Sequence, residues 1–258
     1  MDNSKSIALA EHIFNSPGSK RRNIPLNKRF VLKPSDDEQS PLQRIYVGGK
    51  SGSLALKLYL VLIGRASKKP YTVDDAPASS WAELLGLEDP RGQGARRIKN
   101  ALRKLQDLKF ISIEQNPGKA PTILLLSEIG DGSPYELPSD SYYRTSNKEI
   151  DEQEVYFKVS GLLLREGIFQ ELQGPGLVML LILSAEQAHK RSVWFSTNRF
   201  PQRYGISSAT RARGTQELIK SGVLRATSIY IDDYGRSVSM KTKRIRKRYR
   251  LVGYGVPA

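Results

Sequence analysis

The chain has 258 residues, enough to bury the cores of two modest domains, and its 39% hydrophobic and 26% charged residues are ordinary for a globular protein. It has no cysteine, which excludes disulfides, thiolate catalysis and Cys-ligated zinc, and no apolar run approaches the roughly 20 residues that span a bilayer. Forty-one Lys and Arg against 26 Asp and Glu leave a net charge of +15, a self-repulsion usually met in proteins that face a polyanion.

Residues 1–45 read as a flexible arm. Ser16-Pro17-Gly18, Pro25, Pro34-Ser35-Asp36-Asp37 and Ser40-Pro41 interrupt it, and only residues 7–14 have the pattern of a short amphipathic helix. Lys20-Arg21-Arg22 and Lys28-Arg29 are either phosphate contacts or solvated charges.

A first domain is expected over 46–127. An apolar helix over 54–65 is followed by a polar loop. A second helix opens on Ser79 or Ser80, with Glu83 at capping-box distance from Ser80, turns Trp81, Leu84 and Leu85 inward, and stops at Gly86. Residues 88–94, with Pro90, Gly92 and Gly94, form a turn. A third helix over 95–108 is basic and amphipathic. Strands over 110–114 and 122–127 flank a turn at Asn116-Pro117-Gly118-Lys119.

Residues 128–155 read as an acidic, Pro/Ser-rich linker; eight Asp/Glu stand against three Lys/Arg between Ser127 and Ser160, a net of −5. A second domain over 156–258 repeats the order of the first. A leading segment over 157–169 contains a short helix at 162–166. Helices over 177–190 and 197–204 follow, the second with Pro201 in its first turn and ended by Gly205-Ile206. A third helix over 208–220 stops at Gly222, and strands over 223–231 and 244–252 are joined by a long turn at Asp232-Asp233-Tyr234-Gly235.

The two third helices align from their C-terminal ends. Ile98, Ala101, Leu102, Leu105 and Phe110-Ile111 mark the inward face of the first. Arg211, Gly214, Thr215, Leu218 and Val223-Leu224 take those places in the second, where Arg211 and Thr215 stand at positions expected to be apolar. Lys109 occupies the helix-ending place of Gly222, and Leu85-Gly86-Leu87 matches Tyr204-Gly205-Ile206. On Ala95-Arg96-Arg97-Ile98-Lys99-Asn100-Ala101-Leu102-Arg103-Lys104-Leu105 and Ser207-Ser208-Ala209-Thr210-Arg211-Ala212-Arg213-Gly214, the sequence resembles the winged helix-turn-helix superfamily. The resemblance covers 53–127 and 176–252, in the tandem arrangement of several plasmid replication initiators and some transcriptional regulators. It implies a third helix that enters the major groove and a wing that straddles a phosphate backbone. The expected fold class is therefore α+β and helix-rich, with two tandem winged-helix domains of three helices plus a β-hairpin each.

With Ile98, Leu102 and Leu105 inward, the first recognition helix turns Arg96, Asn100, Arg103 and Lys104 outward, flanked by Arg97 and Lys99. From Arg91 through Lys104 there are six basic residues and no acid, whereas a merely solvated face usually alternates sign. Arg can bond guanine O6 and N7, Asn adenine N6 and N7, and the surrounding cations grip phosphate. Gln93 and the hairpin-turn Lys119 complete this candidate set. The second helix offers Ser207, Ser208, Thr210, Arg211, Arg213 and Gln216, with an N-terminus suited to phosphate, although Ser208 also reads as a plain N-cap.

The segment from Arg225 to the C-terminus holds nine Lys/Arg against two Asp, a net of +7. Within it Arg236, Lys241, Lys243, Arg244, Arg246, Lys247 and Arg248 are candidate DNA contacts, with Arg250 in the same basic run. Arg244, Arg246 and Arg248 share one strand face; Ile245 and Tyr249 lie on the other, with Lys247. Such a wing governs affinity more than sequence choice.

Catalysis finds little support. His12 and His189 are the only histidines, Asp36-Asp37, Asp74-Asp75 and Asp232-Asp233 lie in turn-like stretches, Tyr142-Tyr143 has no histidine partner, and no Walker-type loop is present. The expected protein is not an enzyme and carries no cofactor or metal. It is a sequence-specific double-stranded DNA-binding protein of the transcriptional-regulator type. The alternatives are a plasmid or phage replication initiator at origin repeats, or an RNA-binding or nucleoprotein structural protein. A homodimer is left open, though no heptad repeat supports a zipper. No membrane or small-molecule partner is expected. The N-terminus lacks the order of a signal peptide, which points to a cytoplasmic, nucleoid-associated location.

Overall fold

The computed structural model describes residues 4–15, 22–47, 49–74, 76–140, 155–188, 192–231 and 244–257. Helices carry most of the order and small antiparallel sheets the rest, an α+β architecture.

The segment expected to be a loose arm is built into the core. It forms α1 (Ser4–Asn15), β1 (Asn23–Asn27), a 3-10 turn (Lys28–Phe30) and α2 (Pro41–Tyr46). Two of the prolines that suggested interruption serve regular structure. Pro25 lies in β1, part of a sheet of only two strands, where a missing donor is tolerated. Pro41 opens α2 behind Ser40, whose hydroxyl accepts from the Gln43 N–H at 3.2 Å while the Gln43 side chain accepts from the Ser40 N–H at 3.0 Å. Ile24, Leu26, Phe30, Leu42 and Ile45 are all buried, and this apolar set ties the segment down. Lys28, expected on a mobile arm, is buried and ion-paired with Glu186 at 3.5 Å. Arg22 is exposed, and Lys20 and Arg21 lie outside the described residues.

The first half contains α3 (Lys50–Arg65), β2 (Thr72–Val73), α4 (Ala78–Leu84), α5 (Gln93–Asp107), β3 (Ile111–Glu114) and β4 (Thr122–Leu125). The expected polar loop after α3 includes β2, which pairs with β4 to give a sheet of order β2-β4-β3. Neither Ser79 nor Ser80 caps α4: its N-cap is Pro77, whose φ of −68° starts the helix earlier, without a side-chain cap.

The second half contains β5 (Tyr156–Ser160), α6 (Leu162–Arg165), α7 (Ile168–Glu171), α8 (Gly174–Gln187), α9 (Arg199–Tyr204), α10 (Ser208–Lys220), β6 (Leu224–Ile231) and β7 (Arg244–Leu251). Val193 exchanges backbone bonds of 2.9 and 2.7 Å with Tyr249, so β7 gains a neighbour on its outer edge as β4 does from β2. Left-handed residues recur at matching places. Gly86 (φ 65°) and Gly205 (φ 64°) end α4 and α9, and Lys109 (φ 61°) and Gly222 (φ 76°) follow α5 and α10. The four helix-ending positions thus share a left-handed backbone.

The halves share one apolar core. The strands that lead into each, β1 and β5, pair antiparallel with Pro25 opposite Lys158. Phe30 lies 5.9 Å from Tyr59 and 6.5 Å from Phe110, ring to ring, and the latter two are 5.2 Å apart. Polar ties cross the joint: Gln43 Nε2 donates to the Gly205 carbonyl (2.7 Å), the Lys33 N–H to the Arg203 carbonyl (3.0 Å), and Lys57 Nζ to the Gln170 carbonyl (2.7 Å). The expected linker is folded at least as far as Asp140. Glu128 is buried and accepts from the Asn27 N–H at 2.6 Å, Pro134 bridges Leu126, and Tyr135 packs edge-on to Tyr71 at 5.0 Å. Short-range polarity misled here, because Glu128 and Tyr135 meet partners far along the chain.

Candidate nucleic-acid interface

The α5 helix is oriented by a face that the sequence made plain. Ile98, Ala101, Leu102 and Leu105 are buried, Ile98 and Leu105 completely. Its first turn is held by Asp89, left-handed at φ 46°, whose carboxylate accepts from the N–H groups of Gly92 (3.2 Å) and Gln93 (2.8 Å). A carboxylate at this end of the helix also suits the macrodipole. On the opposite side Arg91, Gln93, Arg96, Arg97, Lys99, Asn100 and Arg103 are all exposed. The side chains of Arg96, Arg97, Lys99, Asn100 and Arg103 make no hydrogen bond or ion pair among the described residues. Lys104 departs from the expected outward set. It is half-buried, its ammonium donates to the Val47 carbonyl, and burial lowers its pKa. Lys119 is exposed in the turn between β3 and β4.

The α10 helix turns differently from the expected register. Gly214, Leu218 and Val223-Leu224 are buried as expected, but the first inward position is Thr210, one residue before Arg211. The cause is a close approach: a Cβ at Gly214 would sit 2.1 Å from the Pro175 carbonyl oxygen of α8. Ser207 is the N-cap, its hydroxyl accepting from the Thr210 N–H (3.1 Å) and donating to the Thr210 hydroxyl (3.0 Å). Thr210 is therefore enclosed and Ser207 engaged. Arg211 is half-buried, its guanidinium 5.0 Å from the Phe200 ring centroid and Nη1 3.5 Å from the Ser196 carbonyl. Thr210 and Arg211 leave the candidate set for that reason. Ser208, Arg213 and Gln216 are exposed. Glu217, on the same helix, caps α8 by accepting from the Gln173 and Gly176 N–H groups, the latter at 2.9 Å.

The β6–β7 hairpin runs in a single register from Leu224↔Leu251 to Ile231↔Arg244. Its faces alternate as expected: Tyr249 tilts against Phe195 at 6.0 Å on the core side, and Arg246, Arg248 and Arg250 share the other face. Arg248, Arg250 and Lys247 are exposed. Of Arg244 only the backbone is described, and Arg236, Lys241 and Lys243 lie outside the described residues. Two residues of this face were not anticipated. Arg225 stands directly across from Arg250, and Trp194 lies under Arg246 with 3.9 Å between guanidinium carbon and ring centroid. The parity of Arg250 with Arg246 was readable in the sequence; the pairing of residue 193 with 249 was not.

Among the described residues, no group of three His, Cys, Asp or Glu side chains is placed to hold a metal ion, and no helix is long and apolar enough to cross a membrane. Asp36, Asp37 and Asp74 are exposed, whereas Asp75, Tyr142, Tyr143, His189, Asp232 and Asp233 lie outside the described residues. No protein-family model, curated protein or solved structure matches the chain.

Proposed function

We propose that the chain is a sequence-specific double-stranded DNA-binding protein built from two winged-helix units in tandem, with α5 and α10 as the recognition helices and the hairpins as wings. The observation that carries the reading is the outward face of α5. Arg96, Asn100 and Arg103 project from a helix fixed by a fully buried opposite face, flanked by Arg97 and Lys99. Cations that form no ion pair among the described residues, beside an amide able to read adenine, suit a major groove. The reduced set on α10, Ser208, Arg213 and Gln216, makes α5 the principal reader. Arg248, Arg250, Lys247 and Lys119 supply phosphate contacts. A transcriptional regulator and a replication initiator would both use such a surface.

The test is selection of a preferred site from random duplexes, followed by titration at several salt concentrations. Arg96→Ala and Asn100→Ala each lower discrimination against single-base changes, by about 1–3 kcal/mol for a lost bidentate contact. Arg248→Ala weakens all duplexes alike and reduces the salt slope by about one. Unchanged discrimination in both α5 variants would remove that helix from the reading role.

A further inference from the structure

Trp194 is used neither by groove reading nor by phosphate contacts. The exchange of bonds between Val193 and Tyr249 places the following side chain on the face opposite Tyr249, among the arginines. There the ring is 46% exposed, whereas the other tryptophan, Trp81, is 1% exposed. The Arg246 guanidinium lies over it at 3.9 Å. Exposed Arg225, Arg248 and Arg250 share this strand face, Arg225 and Arg250 are directly opposed across the strands, and neither strand contains an acid.

Opposed like charges destabilise a hairpin, so this arrangement calls for a polyanion. Phosphate alone would not call for an exposed indole. In a duplex the base faces are closed by stacking; in a single strand they are open. An aromatic plane capped by a guanidinium, within a field of cations, is the chemistry that binds an unpaired base between two phosphates. We propose that this face is a binding site for single-stranded nucleic acid: one unpaired base stacks on the Trp194–Arg246 pair, and Arg225, Arg248 and Arg250 hold the adjoining phosphates. The proposal rests on the chain being a nucleic-acid-binding protein, but not on α5 being the duplex reader.

Because Trp81 is enclosed, ligand-induced changes in tryptophan emission report on Trp194, with Trp194→Phe as the background. The full chain is titrated with oligo-dT, oligo-U, a blunt-ended DNA duplex and heparin. The expected result is quenching by the single strands and little by heparin or the duplex; the oligo-dT and oligo-U arms separate DNA from RNA as the source. Trp194→Ala lowers single-strand affinity by about tenfold, and Trp194→Phe keeps most of it. Arg246→Lys keeps the charge yet loses affinity, because an ammonium has no plane to stack. Equal quenching by heparin or by the duplex, or unchanged single-strand affinity in Trp194→Ala, overturns the proposal. Arg96→Ala with Asn100→Ala retains the quenching. Loss of duplex selectivity therefore bears on the α5 reading, and loss of quenching on this one.

Discussion

Lys57 offers a direct test of how the halves are joined. It projects from α3, is 8% exposed, and donates to the Gln170 carbonyl of the second half at 2.7 Å. Burial lowers its pKa from 10.5 to about 8, an effect that the negative charge of Glu217 partly opposes. Below pH 8 the folded protein carries the cost of a buried ammonium. Between pH 8 and 10.5 the unfolded chain holds a proton that the folded one has released, so stability rises with pH across that window. At about 1.4 kcal/mol per pKa unit, the full excursion is roughly 3 kcal/mol. Lys57→Met keeps the apolar stem, removes the charge and leaves the Gln170 carbonyl unpaired, at a cost of about 1–3 kcal/mol. Urea unfolding of both proteins at pH 7, 8, 9 and 10 isolates this residue, because groups such as Tyr59, whose pKa is raised by burial, are common to both and cancel. The Met variant should compare best with the parent at pH 7 and lose ground steadily to pH 10. A stability difference that stays flat with pH would refute a buried, charge-bearing Lys57.

Two further substitutions probe the repeat. Gly214→Ala should lose stability by about 1–3 kcal/mol through overpacking, outweighing a helix-propensity gain of about 1 kcal/mol. The new methyl group meets the Pro175 carbonyl at 2.1 Å, backbone that has nowhere to go; a rise in urea midpoint would show that α10 and α8 do not touch as described. Lys109→Gly relieves a side chain from φ 61° and should raise thermal stability by about 1 kcal/mol without altering duplex affinity. A lowered Tm would show that the left-handed stop is not shared with Gly222.

What could be read in the sequence was whatever one element determines alone. The spacing of Ile98, Leu102 and Leu105 gave the inward side of α5, and hence its basic outer side, without knowledge of any partner. Gly86, Gly205 and Gly222 marked helix ends because few other residues adopt positive φ at low cost. Elements defined by a distant partner were not readable. β1 takes its order from β5, more than 130 residues away, and carries a proline that locally reads as a break. The rotation of α10 depends on the gap that Gly214 leaves for Pro175, so alignment with the first helix put Arg211 inward where the structure has Thr210. Lys104 and Arg211 look like free cations in sequence, and only folding reveals the Val47 carbonyl and the Phe200 ring that engage them.

The placement of the acids explains how a chain with 26 Asp and Glu still presents such a cationic surface. Several of them are engaged in structural contacts. Glu128 holds the Asn27 N–H, and Glu217 and Asp89 cap α8 and α5. Glu186 gathers Lys28 (3.5 Å), Arg203 (3.3 Å) and the Tyr204 hydroxyl (2.8 Å), which with burial raises the tyrosine's pKa. Each of these carboxylates stabilises a joint between segments distant in sequence or the first turn of a helix. Apart from Lys104, held by the Val47 carbonyl, and Arg246, stacked on Trp194, the described cations of α5 and of the β7 face make no such internal use of their charge. Structural duty thus engages several carboxylates, while most cations of these two faces form no ion pair among the described residues. That division of labour, more than the total of +15, is what the proposed nucleic-acid-binding role of the two faces would require.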